Sequence, residues 1–487
     1  MSVLEGLEPQ AVFSYFEEIS RIPRPSYHEK QISDYLVAFA KEHDLEYYRD
    51  DLWNVIMIKE ATPGYENEEP VILQGHMDMV CEKEEDCDID FEKEGLRLRV
   101  DGDLISAEGT TLGGDDGIAV AMILALFSDE TLAHPRLEAV LTASEEVGME
   151  GAKGIDLSML KGHKLLNLDT EDEGVLLSSC AGGSTGLLDL AVKREEASLQ
   201  DLCADISISG LLGGHSGGEI HKERANANLL MGRLFLMMQE TFDFRIVTLS
   251  GGKKQNAIPR QTTAKILVKG KNGADLPSFV KKAEETVRKE YAITDPDIKI
   301  TVREGSLTPG EKATDADSTK WITGLLNALP CGIQSMSHAI EGLVKTSLNL
   351  GILVLEPEKL HLEYALRSSV GSERKFLEQR LLTVTEAFGG EGQITAEYPA
   401  WEFRADSPFR EDAVAVFERM YGKKPKIEAI HAGVECGILA GKISGLDGIS
   451  IGPDMQDIHT TEERLSISSS GRVYEYVKEL LQCRHGA

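Results

Sequence analysis

Residues 70–78 read Pro-Val-Ile-Leu-Gln-Gly-His-Met-Asp. An apolar run that passes without alternation into a histidine and an acid predicts a strand buried on both faces, as in a parallel sheet. The same pattern recurs outward from it. Leu137-Glu-Ala-Val-Leu-Thr-Ala-Ser144 runs into Glu145-Glu146-Val147-Gly148. Leu165–Leu168 is followed by Asp169, and Gly448–Gly452 is followed after a loop by Asp457-Ile458-His459. An apolar helix is expected over Ile118–Phe127, directly after Gly113-Gly114-Asp115-Asp116-Gly117. Strands alternating with helices predict an α/β layer with a largely parallel central sheet. The C-terminal strand ends of such a sheet form one rim, where ligands bind.

The middle of the chain has a different texture. Residues 200–210 and 260–269 suit strands with one wet face, Phe279–Glu290 a charged amphipathic helix, and Leu360–Arg367 a strictly alternating antiparallel strand. Residues 187–400 are therefore expected to form an inserted α+β lid domain with an antiparallel sheet, with two similar halves as one way of building it. Residues 1–186 and 401–487 would make the α/β domain.

The 487 residues carry 51 Lys+Arg against 82 Asp+Glu, a formal charge of −31. That balance opposes binding to nucleic-acid phosphates or anionic lipid. Residues 1–20 hold glutamates but no lysine or arginine and suggest an amphipathic helix, not a leader. The longest apolar run, near Ile118–Phe127, falls well short of a membrane span. Seven cysteines with no CxxC spacing point to free thiols in a reducing cytoplasm.

Four acid or histidine clusters thus follow expected strands or open the expected helix: His76/Asp78, Asp115/Asp116, Glu145/Glu146 and Asp169. His459 adds a fifth. Alone, each has a plain structural reading. His76 could be a hydrogen-bonded core histidine, Asp115-Asp116-Gly117 a turn and helix cap, and Glu145-Glu146 a solvated pair. Together they would repel unless cations lay among them. Imidazole with carboxylate suits Zn²⁺, Co²⁺ or Mn²⁺. HExxH, zinc-finger, Walker and dinucleotide patterns are absent.

The set HMDMV (76–80), GGDDG (113–117), SEEVG (144–148), LNLDTE (167–172), GGHSGGEI (213–220) and DIHTTEE (457–463) resembles the co-catalytic di-zinc peptidases, the clan of aminoacylases, carnosinases and glutamate carboxypeptidases. The longer forms HMDMVCE (76–82), EGLVKTS (341–347) and HAGVECG (431–437) are most similar to its aminoacyl-histidine dipeptidase branch. The resemblance implies an α/β catalytic domain and two Zn²⁺ per subunit, replaceable by Co²⁺ or Mn²⁺. His76 and Asp169 would bind one ion, Glu146 and His459 the other, and Asp115 both. The Asp115–Asp116 peptide would be cis. Asp78 would orient His76, and Glu145 would be the general base for a metal-bridged hydroxide. His215 would stabilise the tetrahedral intermediate. Asn256 and Arg367 would contact substrate, with His431, Gly433 and Glu435 near the site.

The implied activity is hydrolysis of small peptides, dipeptides of the Xaa-His type first, carnosine-like ones included. A tripeptidase or an N-acyl amino acid amidohydrolase of the same clan is the alternative, and a non-catalytic scaffold a more distant one. Neither nucleic acid nor membrane is an expected partner. Relatives of this kind include dimers, so a homodimer is one possible assembly.

Overall fold

The structure, a computed structural model, describes residues 2–484. Two compact units divide the chain. The first comprises the chain up to Cys180, Phe403–Ala429 and the chain from Val434 onward; the second comprises Ala181–Glu402 together with Ile430–Gly433. The expected junction at 187 moves back because Gly182–Ala191 is one continuous strand of the second unit's sheet. At the other end the expected boundary at 400 becomes Glu402. Met1 and residues 485–487 of the expected α/β domain lie outside the described residues.

The first unit is built on an eight-stranded mixed sheet. Four of its strands, Leu137–Thr142, Val71–His76, Lys164–Asn167 and Asp447–Ser450, run parallel at its centre. Val55–Lys59 and Glu46–Arg49 extend it antiparallel on one side. Val71–His76 and Leu137–Thr142 are buried along their whole length, which is why they read as apolar runs. Each Leu, Ile or Val buried there stabilises the fold by about 1.5–3 kcal/mol. The helix Gly114–Ser128 is buried along nearly its whole length and packs with Gln10–Ser20, whose Phe13 and Phe16 join the same core. Helical backbone begins only after Asp116, since Asp115 and Asp116 have non-helical dihedrals, and the peptide between them is cis. A small sheet carries Met455–Gln456 and Arg464–Ser466 as an antiparallel pair, with His459 in the connecting loop.

The second unit holds one extended antiparallel sheet made of two βαββαβ halves. The first half uses strands Leu202–Ser209, Phe244–Gly251, Thr262–Val268 and Lys299–Glu304 with helices Ala227–Gln239 and Leu276–Glu290. The other uses strands Gly182–Ala191, Val344–Leu355, Lys359–Ser368 and Glu391–Tyr398 with helices Ala316–Ala328 and Gly371–Ala387. In both, the spatial order of the strands is fourth, first, third, second. The two second strands meet at a short seam, Ser250 opposite Val354 and Gly251 opposite Leu353. Close approach there depends on glycine: a Cβ on Gly252 would lie 1.7 Å from the Gly351 carbonyl oxygen.

Among the described residues, no disulfide joins the seven cysteines. Among the described residues, no helix is long and apolar enough to cross a membrane.

Candidate metal centre

The parallel strands of the first unit end where the acids and histidines begin. His76 closes its strand and is fully buried. Gly75 precedes it because a Cβ there would lie 2.6 Å from Asp116 Oδ2 and 2.8 Å from the Ala119 methyl carbon. His76 Nε2 lies 3.1 Å from Asp115 Oδ1 and 3.8 Å from Asp169 Oδ1. On the other side, His459 Nε2 is 3.0 Å from both Asp115 Oδ2 and Glu146 Oε1. Each oxygen of Asp115 therefore faces a different imidazole, and each imidazole has a second carboxylate.

Three sets of donor atoms are close enough to hold an ion: His76 with Asp116 and Asp169, His76 with Glu145 and Glu146, and Asp115 with Glu146 and His459. The mixture of imidazole and carboxylate oxygen is that of Zn²⁺, Co²⁺ or Mn²⁺ sites. The electrostatics agree. Burial, reinforced by the neighbouring Asp116, pushes the Asp169 carboxyl well above its usual range, and burial does the same to Asp116. Burial and the surrounding acids push Glu145 up to about 8. Asp115 is also buried, but hydrogen bonds from His459 and His76 outweigh that and hold it below the usual range. Hydrogen bonds to Asp115 and Glu146 raise His459 to about 10. So many buried acids call for positive charge, and Asp116 Oδ1 has no hydrogen-bond partner. The donor set fits a pair of divalent cations.

Asp78 is fully buried at the foot of this cluster. Its Oδ1 lies 3.5 Å from His76 Nδ1 and accepts the Glu145 N–H, while Oδ2 accepts from Glu146 N–H and the Ser26 hydroxyl. One carboxylate thus fixes the histidine ring and the Glu145-Glu146 backbone together.

Glu435 also belongs to the first unit and is fully buried. Its Oε2 accepts from Gln74 (2.5 Å) and Thr142 (2.6 Å), and Oε1 has no partner. Gln74 in turn accepts from Asn167, tying three adjacent strands at their ends.

The remaining residues singled out from the sequence lie in the second unit. His215 is exposed, and its Nε2 lies 3.4 Å from Arg367 Nη2. Arg367 donates from Nη1 to the Tyr398 hydroxyl at 2.9 Å. His431 Nε2 is 2.7 Å from Ser347 Oγ. Asn256 is exposed, and its backbone carbonyl accepts the Ser216 N–H. A Cβ on Gly433 would lie 2.5 Å from the Tyr398 ring. A Cβ on Gly217 would lie within about 3 Å of the His431 carbonyl, Arg367 Nε and the His215 ring. Glycines here make room for an imidazole–guanidinium–phenol cluster. Nothing in the sequence singles out Tyr398 beyond the aromatics of the EYPAW segment (397–401). Asp116 in GGDDG reads from the sequence as part of a turn and helix cap, whereas the structure places it among the possible donors.

The chain is similar to known proteins in both sequence and fold. Residues 206–295 match the family model described as a peptidase dimerisation domain of the M20 type. The chain is 36% identical over 482 residues to the cytosol non-specific dipeptidase of Escherichia coli, covering 99% of both. It superposes with a TM-score of 0.94 on aminoacylhistidine dipeptidase from Vibrio alginolyticus, at 35% identity and 99% coverage of each chain. Aminopeptidase PepT of Bacillus cereus shares the fold, with a TM-score of 0.56 at 14% identity and 98% coverage of each. The chain is a member of the M20 metallopeptidase family, in its aminoacylhistidine dipeptidase branch.

Proposed function

We propose that this protein is a cytoplasmic metallo-dipeptidase that cleaves Xaa-His dipeptides first, carnosine-like ones included, and tolerates other dipeptides. The observation that carries the reading is Asp115, whose two oxygens face two histidines that each have a second carboxylate. The names of the similar enzymes supply the substrate class: one is called aminoacylhistidine dipeptidase, the other non-specific and of the cytosol.

Two Zn²⁺ ions, or Co²⁺ or Mn²⁺ in their place, would supply Lewis acidity toward the scissile carbonyl and acidify water. In this reading His76 and Asp169 hold one, Glu146 and His459 the other, and Asp115 both. Glu145 takes the proton of the attacking water and delivers it to the leaving amine nitrogen. Its backbone N–H is anchored on Asp78, so the carboxylate works from a fixed base. His215 donates to the oxygen that becomes negative in the tetrahedral intermediate. Asn256 and Arg367 take the substrate's carboxylate, and His431, Gly433 and Glu435 are candidates for further substrate contacts. A homodimer is compatible with the matched dimerisation segment.

Purified protein assayed on Ala-His, β-Ala-His, Gly-His, Leu-Gly, Ala-Ala-Ala and N-acetyl-methionine tests the reading. Each is assayed before chelation, after it, and after Zn²⁺ or Co²⁺ is returned. Metal-restored cleavage led by Xaa-His dipeptides is expected. Preference for the tripeptide or the acyl amino acid would overturn the substrate, and no cleavage with two ions bound would overturn the activity.

A further inference from the structure

Two oppositely charged side chains lie buried beside the candidate centre, and neither is a donor to it. Arg24 and Glu463 are each 2% exposed. They come from distant parts of the chain and bracket the same loop.

Glu463 accepts four backbone N–H groups. Oε2 takes those of Leu112 (2.7 Å) and Gly113 (3.0 Å), and Oε1 those of Gly114 (2.8 Å) and Asp115 (3.3 Å). Successive amides converging on one carboxylate form an anion nest, here filled by the chain itself. Charge-assisted bonds of this kind are about twice as strong as neutral ones. Glu463 also donates its own N–H to the Thr460 carbonyl, so the carboxylate rides on a turn that starts directly after His459.

Arg24 works on the carbonyl side. Nη2 donates to Gly113 O at 2.5 Å, and Nη1 to Met77 O (3.2 Å) and Asp78 O (3.4 Å). Gly113 therefore gives its N–H to a buried anion and its C=O to a buried cation. The motif's glycines match this arrangement. A Cβ on Gly113 would lie 2.5 Å from Arg24 Nη2, and one on Gly117 2.6 Å from the same atom. Gly113 also has φ +64°, and a Cβ on Gly114 would stand 3.3 Å from Glu463 Oε1.

Three segments bearing candidate donors are thereby joined through two ions. Arg24 ties 76–78 to 113–116, and Glu463 ties 113–116 to 459–463. We infer that Arg24 and Glu463 are positioning residues that preset the spacing of His76, Asp115 and His459 before any cation arrives, so that metal affinity depends on them although neither touches metal. This rests on the dinuclear reading of the site. Outer partners of metal sites typically control about 10–100-fold in affinity.

The test is isothermal titration of Co²⁺ into the metal-free full-length protein, with the visible absorption of bound Co²⁺ recorded alongside. The wild type is compared with Glu463→Gln, Arg24→Lys and the control Arg136→Lys. Arg136 makes a buried pair with Glu138 in the same unit, Nε to Oε1 at 2.7 Å, and Glu138 likewise holds the backbone N–H groups of Lys161 and Gly162. Glu463→Gln and Arg24→Lys are expected to weaken Co²⁺ binding about 10–100-fold and to alter its spectrum. Arg136→Lys should lower melting temperature but leave affinity and spectrum as in the wild type. Wild-type affinity in both site variants would overturn the inference. A wild type that binds no Co²⁺ would instead overturn the dinuclear reading beneath it. Hydrogen exchange on the metal-free wild type decides the matter even if a variant does not fold. The amides of residues 112–115 should be protected without metal, and rapid exchange there would show that the frame is not preset.

Discussion

Ser347 Oγ and His431 Nε2 meet at 2.7 Å, and on the far side of the ring His431 Nδ1 is buried with no side-chain partner. Burial, then the nearby Arg367 and His215, lowers the His431 pKa to about 3. An unfolded histidine titrates near 6.5. The folded chain therefore keeps His431 neutral where the unfolded chain takes up a proton. Its contribution to stability is complete above about pH 6.5 and is lost progressively as the pH falls toward 3, at up to about 1.4 kcal/mol per pH unit. Urea unfolding at pH 7 and pH 5 should show a larger drop for the wild type than for His431→Gln. Equal drops would mean the ring is not held neutral.

Glu145→Gln should retain both ions by metal analysis while kcat falls at least 10²-fold, since general base catalysis is typically worth about 10²–10⁴. Loss of one ion would instead make Glu145 a donor, a role the proximity of His76, Glu145 and Glu146 also permits.

His215→Ala is expected to lower kcat by about 10²–10³, the usual effect of removing one oxyanion donor, with metal content unchanged. Normal turnover would remove this imidazole from the mechanism.

Tyr398→Phe removes the phenol oxygen that accepts from Arg367 Nη1. The guanidinium loses one of its constraints but keeps its charge. Steady-state kinetics on Ala-His should show KM raised about three- to tenfold, the scale of one hydrogen bond, with a smaller change in kcat. A fall confined to kcat would place Arg367 on the transition state alone.

Removal of metal should lower the melting temperature, because an ion bound only by the folded state stabilises it by about 2.7 kcal/mol at one hundred times its dissociation constant. Differential scanning calorimetry with and without chelator would record this, and identical traces would argue that the acids at the strand ends bind no cation.

The strands that carry the centre were legible for a simple reason. Val71–His76 is buried on both faces, so its sequence is continuously apolar up to the point where chemistry begins. The candidate donors stand out because acids at several strand ends form a pattern that no packing argument explains. Arg24 was invisible since a single arginine in an N-terminal loop has no periodicity to betray it; only the glycines it displaces, Gly113 and Gly117, left a trace. The two halves of the second unit were hard to see because they are not consecutive. Strand Gly182–Ala191 is separated from its own helix, Ala316–Ala328, by the entire other half. The polar contacts of Arg367 were equally hidden, since Tyr398 comes from a different strand with no motif around it.

The seam at Ser250–Val354 and Gly251–Leu353 joins two halves of one polypeptide. Tethering puts each half in the presence of the other at an effective concentration of about millimolar or more, whatever the concentration of protein outside. Dilution therefore cannot separate them. An arrangement of His215, Arg367 and Tyr398 that relies on this sheet persists in a single molecule at nanomolar levels as it does in a crowded solution.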